Sequence, residues 1–173
     1  MKRKVLLLMF LCIGLCWPSY AQVKISHDFY PDVSVKFKRC LVSGETGYVD
    51  FTLTNNTRRD ISGFLSNGES GRGSWGMDIT LYDDEGNIYT HNYDGKGNRI
   101  INCSIGDGHY VCCGEGFSFS MPKDLTVKGR IEFADVDEYA TCFQLIQIKF
   151  REMNSTQYGK ATLKFWNVPI TRQ

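Results

Sequence analysis

The stretch MDITLYDDEGNIY, residues 77–89, carries the clearest structural signal in the chain, which is two short strands joined by a turn. Apolar Met77, Ile79 and Leu81 alternate with polar residues, and this period of two is typical of a half-buried strand. The Asp-Glu-Gly-Asn run then supplies turn chemistry before Ile88 begins a second strand. The stretch therefore predicts a β-hairpin with one apolar face.

The same alternation recurs along most of the chain. The other alternating runs are residues 33–38, 48–54, 117–121, 127–133, 146–150 and 161–166. Turn residues separate these runs, and no long stretch has a helical period. Many short amphipathic strands predict antiparallel sheets with one buried face each, so we expect an all-β, two-layer sandwich. Residues 60–75, rich in Gly and Ser, are expected to form a long surface loop.

The beginning of the chain is typical of a secretory signal. Basic residues at positions 2–4 precede an apolar run at 5–17, and Ala21 is a small residue at a suitable cleavage position. The apolar run is too short to span a bilayer comfortably. We expect residues 1–21 to be a cleavable signal peptide and residues 22–173 to be one domain; an uncleaved membrane anchor is the alternative.

Charge and export together limit the expected partners. Lys and Arg number 20 against 19 Asp and Glu, and removal of the signal changes the formal net charge from +1 to −2. Without a basic excess to offset phosphates, nucleic acid is not an expected partner. Leu precedes both Cys12 and Cys16, where a small residue would precede a lipidated cysteine. We therefore expect a periplasmic, cell-surface or secreted protein with no stable membrane span after cleavage.

Four motifs follow one another in a recognisable order. They are YVDFTLTNNT at 48–57, the hairpin stretch at 77–89, FSFSMPKDLTVKGRIEFADV at 117–136 and FQLIQIKF at 143–150. Their order resembles that of an immunoglobulin-like domain of unknown function found in exported bacterial proteins, and the resemblance covers about residues 32–150. It implies an immunoglobulin-like, extracytoplasmic sandwich and no settled chemistry.

Five cysteines follow the signal, and an oxidising compartment favours disulfides. Asp107-Gly108 is a favoured centre for a two-residue type I′ turn. That centre places Cys103 opposite Cys112 at a non-hydrogen-bonded pair, where side chains lie closest. A Cys103–Cys112 disulfide is therefore predicted, and it would stabilise the fold by roughly 2–3 kcal/mol. A turn one residue longer would pair Cys103 with Cys113 instead.

The other cysteine hypotheses are less specific. Cys40 and Cys142 lie on separate predicted strands, where they either bridge two sheets or act as small buried hydrophobes. His109 with Cys103, Cys112 and Cys113 offers four metal ligands, but adjacent cysteines on a strand point to opposite faces.

A catalytic alternative uses the same segment. A thiol-dependent hydrolase or redox protein would use Cys112 or Cys113 as the reactive thiol and His109 as its base. The sequence shows no third group to orient the base. We assign no catalytic residue, no cofactor and no metal.

Acidic turn residues raise one further possibility, a calcium site. Asp83, Asp84, Glu85 and Asn87 carry oxygen ligands of the kind that calcium prefers. The same residues are also ordinary in a hairpin turn. Residues 94–98 begin like an EF-hand loop, but the glycine and the closing glutamate of that loop are missing.

Aromatic residues are the main hint of function. Tyr and Trp combine an apolar body with a polar tip, which suits stacking on sugars and docking of proteins. The expected partner contacts are Trp75, Tyr82, Tyr89 and Tyr93, with Trp166 also on an outward face; the alternative is that these residues are cross-strand partners. We expect a non-enzymatic, exported binding or accessory module at the cell envelope, with a protein as its first expected partner and a glycan as its second.

Overall fold

The computed structural model describes residues 22–29, 32–66, 78–91, 99–109, 116–150, 152–153 and 161–173. Within these ranges all regular secondary structure is β, which confirms the all-β prediction. The strands are β1 (Lys24–His27), β2 (Val33–Ser43), β3 (Thr46–Asn55), β4 (Ile61–Ser66), β5 (Ile79–Asp83), β6 (Ile88–Thr90), β7 (Arg99–Ile105), β8 (Gly108–His109), β9 (Gly116–Met121), β10 (Thr126–Ala134), β11 (Cys142–Phe150), β12 (Glu152–Met153), β13 (Ala161–Pro169) and β14 (Thr171–Arg172).

Eleven of these strands form one continuous mixed sheet. Its order is β1-β13-β11-β5-β6-β7-β10-β3-β2-β14, and β8 pairs with β7 beside this path. The pairs β6–β7 and β14–β2 are parallel, and the other described pairs are antiparallel. A smaller sheet has the order β12-β4-β9. The described residues contain no helix that is long and apolar enough to cross a membrane.

One residue pair joins the two halves of the large sheet. Thr90 of β6 pairs with Arg99 of β7, and the sheet curls so that its halves face each other. The ring centroids of Phe51 on β3 and Phe165 on β13 are 5.5 Å apart across the core. The expectation of two separate sheets is therefore corrected to one large curled sheet. Alternation fixes which face of a strand is buried, but it does not fix which strand edges join.

Aromatic side chains fill much of the space between the two halves. Phe133 and Phe143 contact edge to face with ring centroids 5.1 Å apart, a favoured aromatic geometry. Two strand glycines make room for such rings. A Cβ on Gly129 would lie 2.3 Å from the ring of Phe51, and a Cβ on Gly47 would lie 2.6 Å from the ring of Phe133. The core therefore depends on glycine where an aromatic ring covers the backbone.

The β7–β8 hairpin has a different register from the predicted one. Ile105 pairs with Gly108, so residues 106–107 form the turn instead of residues 107–108. Gly106 takes a φ of +58°, the backbone angle that the first central residue of a type II′ turn requires. A Cβ on Gly108 would lie 2.4 Å from the carbonyl oxygen of Ser118. The glycine of the Asp-Gly pair thus permits close packing on β9 and is not the turn glycine.

The observed register overturns the reason for the predicted Cys103–Cys112 disulfide. Ser104 pairs with His109, so the pairing of β7 is offset by two residues from the predicted one. The thiol of Cys103 is free and lies fully buried in the core. Cys40 and Cys142 are also free, so the alternative bridge between them is wrong. Cys112 and Cys113 lie outside the described residues, as does the expected signal at 1–21.

Candidate binding surface

Four neighbouring strands bring one row of large apolar side chains onto the outer face of the sheet. Ile88 pairs with Tyr82, Tyr82 with Leu145, and Leu145 with Trp166. Directly paired residues project from the same face, with Cβ atoms about 4.5–5.5 Å apart. We call these four residues the apolar stripe. Its length across β6, β5, β11 and β13 is roughly 14 Å, because adjacent strands are about 4.8 Å apart.

The apolar stripe points away from the core. Ile88 is 53% exposed and Tyr82 is 38% exposed, which makes both of them exceptions to the burial of large apolar side chains. Leu145 and Trp166 are half-buried. Sequence reasoning identified Tyr82 and Trp166 as outward aromatics, and the structure confirms that Tyr82 is exposed. It did not find Ile88 or Leu145.

Two irregular positions lie beside the stripe residues and turn the flanking apolar residues back into the core. In a regular strand, Phe143 and Leu145 would face the same side. The register of β11 against β5 shifts between them, so Phe143 is buried while Leu145 is not. On β13, Trp166 is half-buried and Val168 is buried, although these two residues would also face the same side in a regular strand. Asn167 lies between them with a φ of +54°. Regular alternation with buried Ile146 and Phe165 already places Leu145 and Trp166 outward, and the irregularities return Phe143 and Val168 to the core.

A polar row runs along one side of the apolar stripe. Thr90 pairs with Thr80, Thr80 with Gln147, and Gln147 with Lys164. Lys24 of β1 pairs with Trp166 and ends the stripe with a charge. An apolar strip with a polar border is the arrangement found at protein–protein interfaces.

The turn between β5 and β6 is held by a buried carboxylate. Asp83 is only 2% exposed and accepts four hydrogen bonds. One oxygen accepts from the backbone N–H groups of Glu85 and Asn87 at 3.1 and 2.8 Å. The other accepts from the side-chain amide of Asn87 and the hydroxyl of Tyr89, each at 2.9 Å. This anchoring fixes the hairpin that carries Tyr82 and Ile88.

The neighbouring carboxylate ties the same turn to β11. Asp84 accepts hydrogen bonds from the backbone N–H groups of Thr141 and Cys142 at 2.9 and 3.2 Å, and from the Thr141 hydroxyl. Partial burial alone would raise the pKa of Asp84, but these hydrogen bonds outweigh it and lower the pKa. Two of the three carboxylates of the suggested calcium site, Asp83 and Asp84, are therefore engaged by protein donors. The described residues contain no group of three or more acidic, His or Cys side chains arranged to hold a metal.

Tyr89 does not belong to the binding surface. The expectation that it contacts a partner was wrong, because its side chain is fully buried between Phe133 and Phe143. Its hydroxyl satisfies Asp83, which is the polar partner that a buried tyrosine needs. Burial raises the pKa of Tyr89 and is the largest cause of that change. Trp75 and Tyr93 lie outside the described residues.

The described thiols do not have the properties of activated nucleophiles. Burial raises the pKa of Cys40 to about 12, and it also raises the pKa values of Cys103 and Cys142. A raised pKa keeps a thiol protonated at neutral pH and unreactive. His109 is exposed on β8. The proposed partners of His109, Cys112 and Cys113, lie outside the described residues, so the catalytic alternative stays a prediction.

Comparisons with known proteins identify no family. No protein-family model matches the chain, and no curated protein matches it. Among solved structures, the chain is similar to one described as "AvmM Catalyzes Macrocyclization in Alchivemycin A Biosynthesis". The two are 10% identical, the match covers 83% of this chain and 95% of that chain, and the TM-score is 0.29. A likeness this low carries no argument about function.

Proposed function

We propose that this chain is an exported, non-catalytic binding module that docks a protein partner on the apolar stripe. The observation that carries this proposal is the continuous outward row of Ile88, Tyr82, Leu145 and Trp166. A contiguous apolar patch with a polar border marks an interaction site on many soluble proteins. Tyr and Trp are the residue types that most often supply binding energy at such sites.

The composition of the apolar stripe favours a protein partner over a glycan. Two of its four side chains are aliphatic and two are aromatic. Aliphatic groups gain the most binding free energy when they pack against another apolar surface. A glycan is the second candidate, because Tyr82 and Trp166 offer aromatic rings on which a sugar can stack. The stripe lies on an open sheet face, which suits a partner that is itself broad and flat.

The proposal also includes that the chain is exported and that it is related to immunoglobulin-like domains. The basic and apolar segments within residues 1–21 support export. The two facing halves of the large sheet, joined by the Thr90–Arg99 pair, support a relationship to sandwich domains. An envelope location would bring the stripe into contact with partners outside the cytoplasm.

Affinity capture with matched variants tests the stripe. The double variant Tyr82→Ser, Ile88→Ser removes its two most exposed members. We expect a loss of partner capture of at least about tenfold, since each anchor contributes on the order of 1–2 kcal/mol. The bait is the folded protein, and the prey is the cell-envelope fraction of its native source.

Exposed apolar residues elsewhere provide the control. Ile101 is 42% exposed and Leu125 is 55% exposed, so the double variant Ile101→Ser, Leu125→Ser removes comparable apolar surface outside the stripe. The control variant should capture the partner as the unaltered protein does. Equal capture by the stripe variant, or an equal loss in both variants, would refute the proposal.

A further inference from the structure

The opposite half of the large sheet carries a second outward pattern, which is basic. Lys36 of β2 and Lys128 of β10 both pair with Thr52 of β3, one on each side of it. In the next row, Arg39 and Arg130 flank Asp50 in the same way. We call Lys36, Arg39, Lys128 and Arg130 the basic face.

The two arginines of the basic face are held in place by Asp50. The Nε and Nη2 atoms of Arg130 donate to the two carboxylate oxygens of Asp50 at 2.7 and 3.1 Å, and Nε of Arg39 donates to the same carboxylate at 2.8 Å. Both guanidinium groups also lie over the ring of Tyr48, at 4.2 Å for Arg130 and 5.3 Å for Arg39. The guanidinium groups are therefore ordered before any ligand arrives.

Each arginine keeps donors available for a ligand. Nη1 of Arg130 and both Nη atoms of Arg39 have no hydrogen-bond partner among the residues that the structure describes. Both side chains remain about half exposed. A guanidinium with free, parallel N–H groups matches carboxylate and sulfate oxygens in a fork geometry.

Positive charge is concentrated on this face although the whole domain is slightly acidic. The four cations of the basic face stand against two carboxylates, Asp50, which the two arginines already engage, and Glu132 in the adjoining row. That local excess contrasts with the net charge of −2 for residues 22–173. Lys36 and Lys128 are roughly 10 Å apart across three strands, and the lysine and arginine rows are roughly 7 Å apart. The cations therefore form a flat array and do not converge on one point.

The middle of the array favours a polar ligand. Thr52 lies between the two lysines, and the hydroxyls of Thr54 and Thr126 are hydrogen-bonded to each other at 2.8 Å in a neighbouring row. Folded protein partners need apolar anchors at the centre of an interface, and these rows supply hydroxyl groups instead. Hydroxyl and carboxylate groups of a sugar chain match both the threonines and the cations.

We propose that the basic face binds a polyanionic polysaccharide, one that carries carboxylate or sulfate groups along its length. This activity goes beyond the proposed function, since it uses the outer face of the other half of the sheet. Because the two halves face each other across the core, their outer faces point in opposite directions. The domain therefore holds a charged polymer on one side and a protein on the other.

Titration with defined polymers tests the basic face. Heparin serves as the sulfated probe, alginate as the carboxylated probe and dextran as the neutral control, each added to the folded protein in low salt. We expect heparin and alginate to bind, dextran not to bind, and the affinity to fall at least about tenfold in 0.5 M NaCl. Failure of both charged polymers to bind in low salt would overturn the proposal.

Charge-matched variants locate the bound polymer. The variant Lys128→Gln should weaken binding at least about threefold, while Lys149→Gln removes the same charge from the other half, outside the apolar stripe and its border, and should leave binding unchanged. Both lysines are exposed on strands, and retained thermal midpoints would verify folding. An equal loss in both variants, or equally tight binding of duplex DNA or anionic vesicles, would overturn the proposal. These outcomes are independent of capture through the apolar stripe.

Discussion

At the scale of single residues, the most informative side chains are those that carry a reactive or polar group and nevertheless lie in the core. Cys103 and Tyr89 both attracted functional hypotheses, and both lie in the core. Cys103 is a small hydrophobe there, while Tyr89 finds a polar partner in Asp83. The sequence shows the residue types, but it does not show which side of the sheet each side chain projects from, because that depends on strand register.

Cys103 should be protected in the native protein. Since its thiol is buried and its pKa is raised by burial, alkylation of Cys103 should be at least about 100-fold slower than after denaturation. Mass spectrometry after timed iodoacetamide treatment measures this ratio. Half-buried Cys142 is the internal control and should react faster than Cys103. A non-reducing digest that yields Cys103 in a disulfide-linked peptide would contradict the structure.

Asp50 should make stability depend on pH in the acidic range. Partial burial would raise the pKa of Asp50, but hydrogen bonds from Arg130 and Arg39 outweigh it and lower the pKa. A lowered folded-state pKa contributes stability above the unfolded value of about 4, and this contribution disappears as the pH falls through the folded value. The variant Asp50→Asn should therefore be about 1 kcal/mol less stable at pH 7, discounted for the exposed arginines.

Urea unfolding at several pH values tests this sign. The difference between Asp50→Asn and the unaltered protein should shrink as the pH is lowered below about 4. A difference that is constant across pH, or one that grows in acid, would show that the ion pairs do not act as described.

At the scale of elements, the strands were largely predictable and their irregularities were not. Alternation identified the strands around Phe51, Leu81, Ile131 and Ile146, because one buried face imposes a period of two. The shift before Leu145 and the turned backbone at Asn167 return Phe143 and Val168 to the core. A bulge adds one residue to one strand, and this change leaves no clear mark in a pattern of apolar and polar residues.

Removal of the Asp83 carboxylate should destabilise the turn between β5 and β6. Asp83→Ala leaves four donors without their acceptor, including the hydroxyl of buried Tyr89, so we expect a loss of about 3 kcal/mol in the free energy of unfolding. Chemical denaturation measures the loss. Tyr89→Phe removes only one of these donors and should be about 1 kcal/mol less stable. Equal effects of the two changes would refute the anchoring role of Asp83.

At the scale of the whole molecule, the C-terminal segment links the two halves of the sheet. The chain leaves β13 in one half and adds β14 to β2 in the other. Thr171 pairs with Leu41, and the N–H of Gln173 donates to the carbonyl of Val42 at 3.0 Å. No sequence pattern indicated this crossing, because a two-residue strand is too short to show a period.

Deletion of residues 170–173 should destabilise the entire domain. It removes β14 and the two hydrogen bonds that Nη2 of Arg172 donates to the carbonyls of Asp137 and Ala140, at 2.6 and 2.9 Å. We expect a loss of about 3 kcal/mol in unfolding free energy, and about 1 kcal/mol for Arg172→Gln alone. Urea unfolding of both variants measures these losses. An unchanged midpoint for the deletion would mean that β14 does not brace the sheet.

The most direct test of the central claim is site-specific photocrosslinking in the native cell envelope. A photoreactive phenylalanine derivative is placed at Tyr82 in the apolar stripe or, as the control, at Thr52 on the opposite face. The apolar stripe should yield one discrete crosslinked protein from position 82, at least about tenfold more than from position 52. The same yield from both positions, or a discrete product from position 52 alone, would contradict the assignment of the stripe as the protein-binding surface.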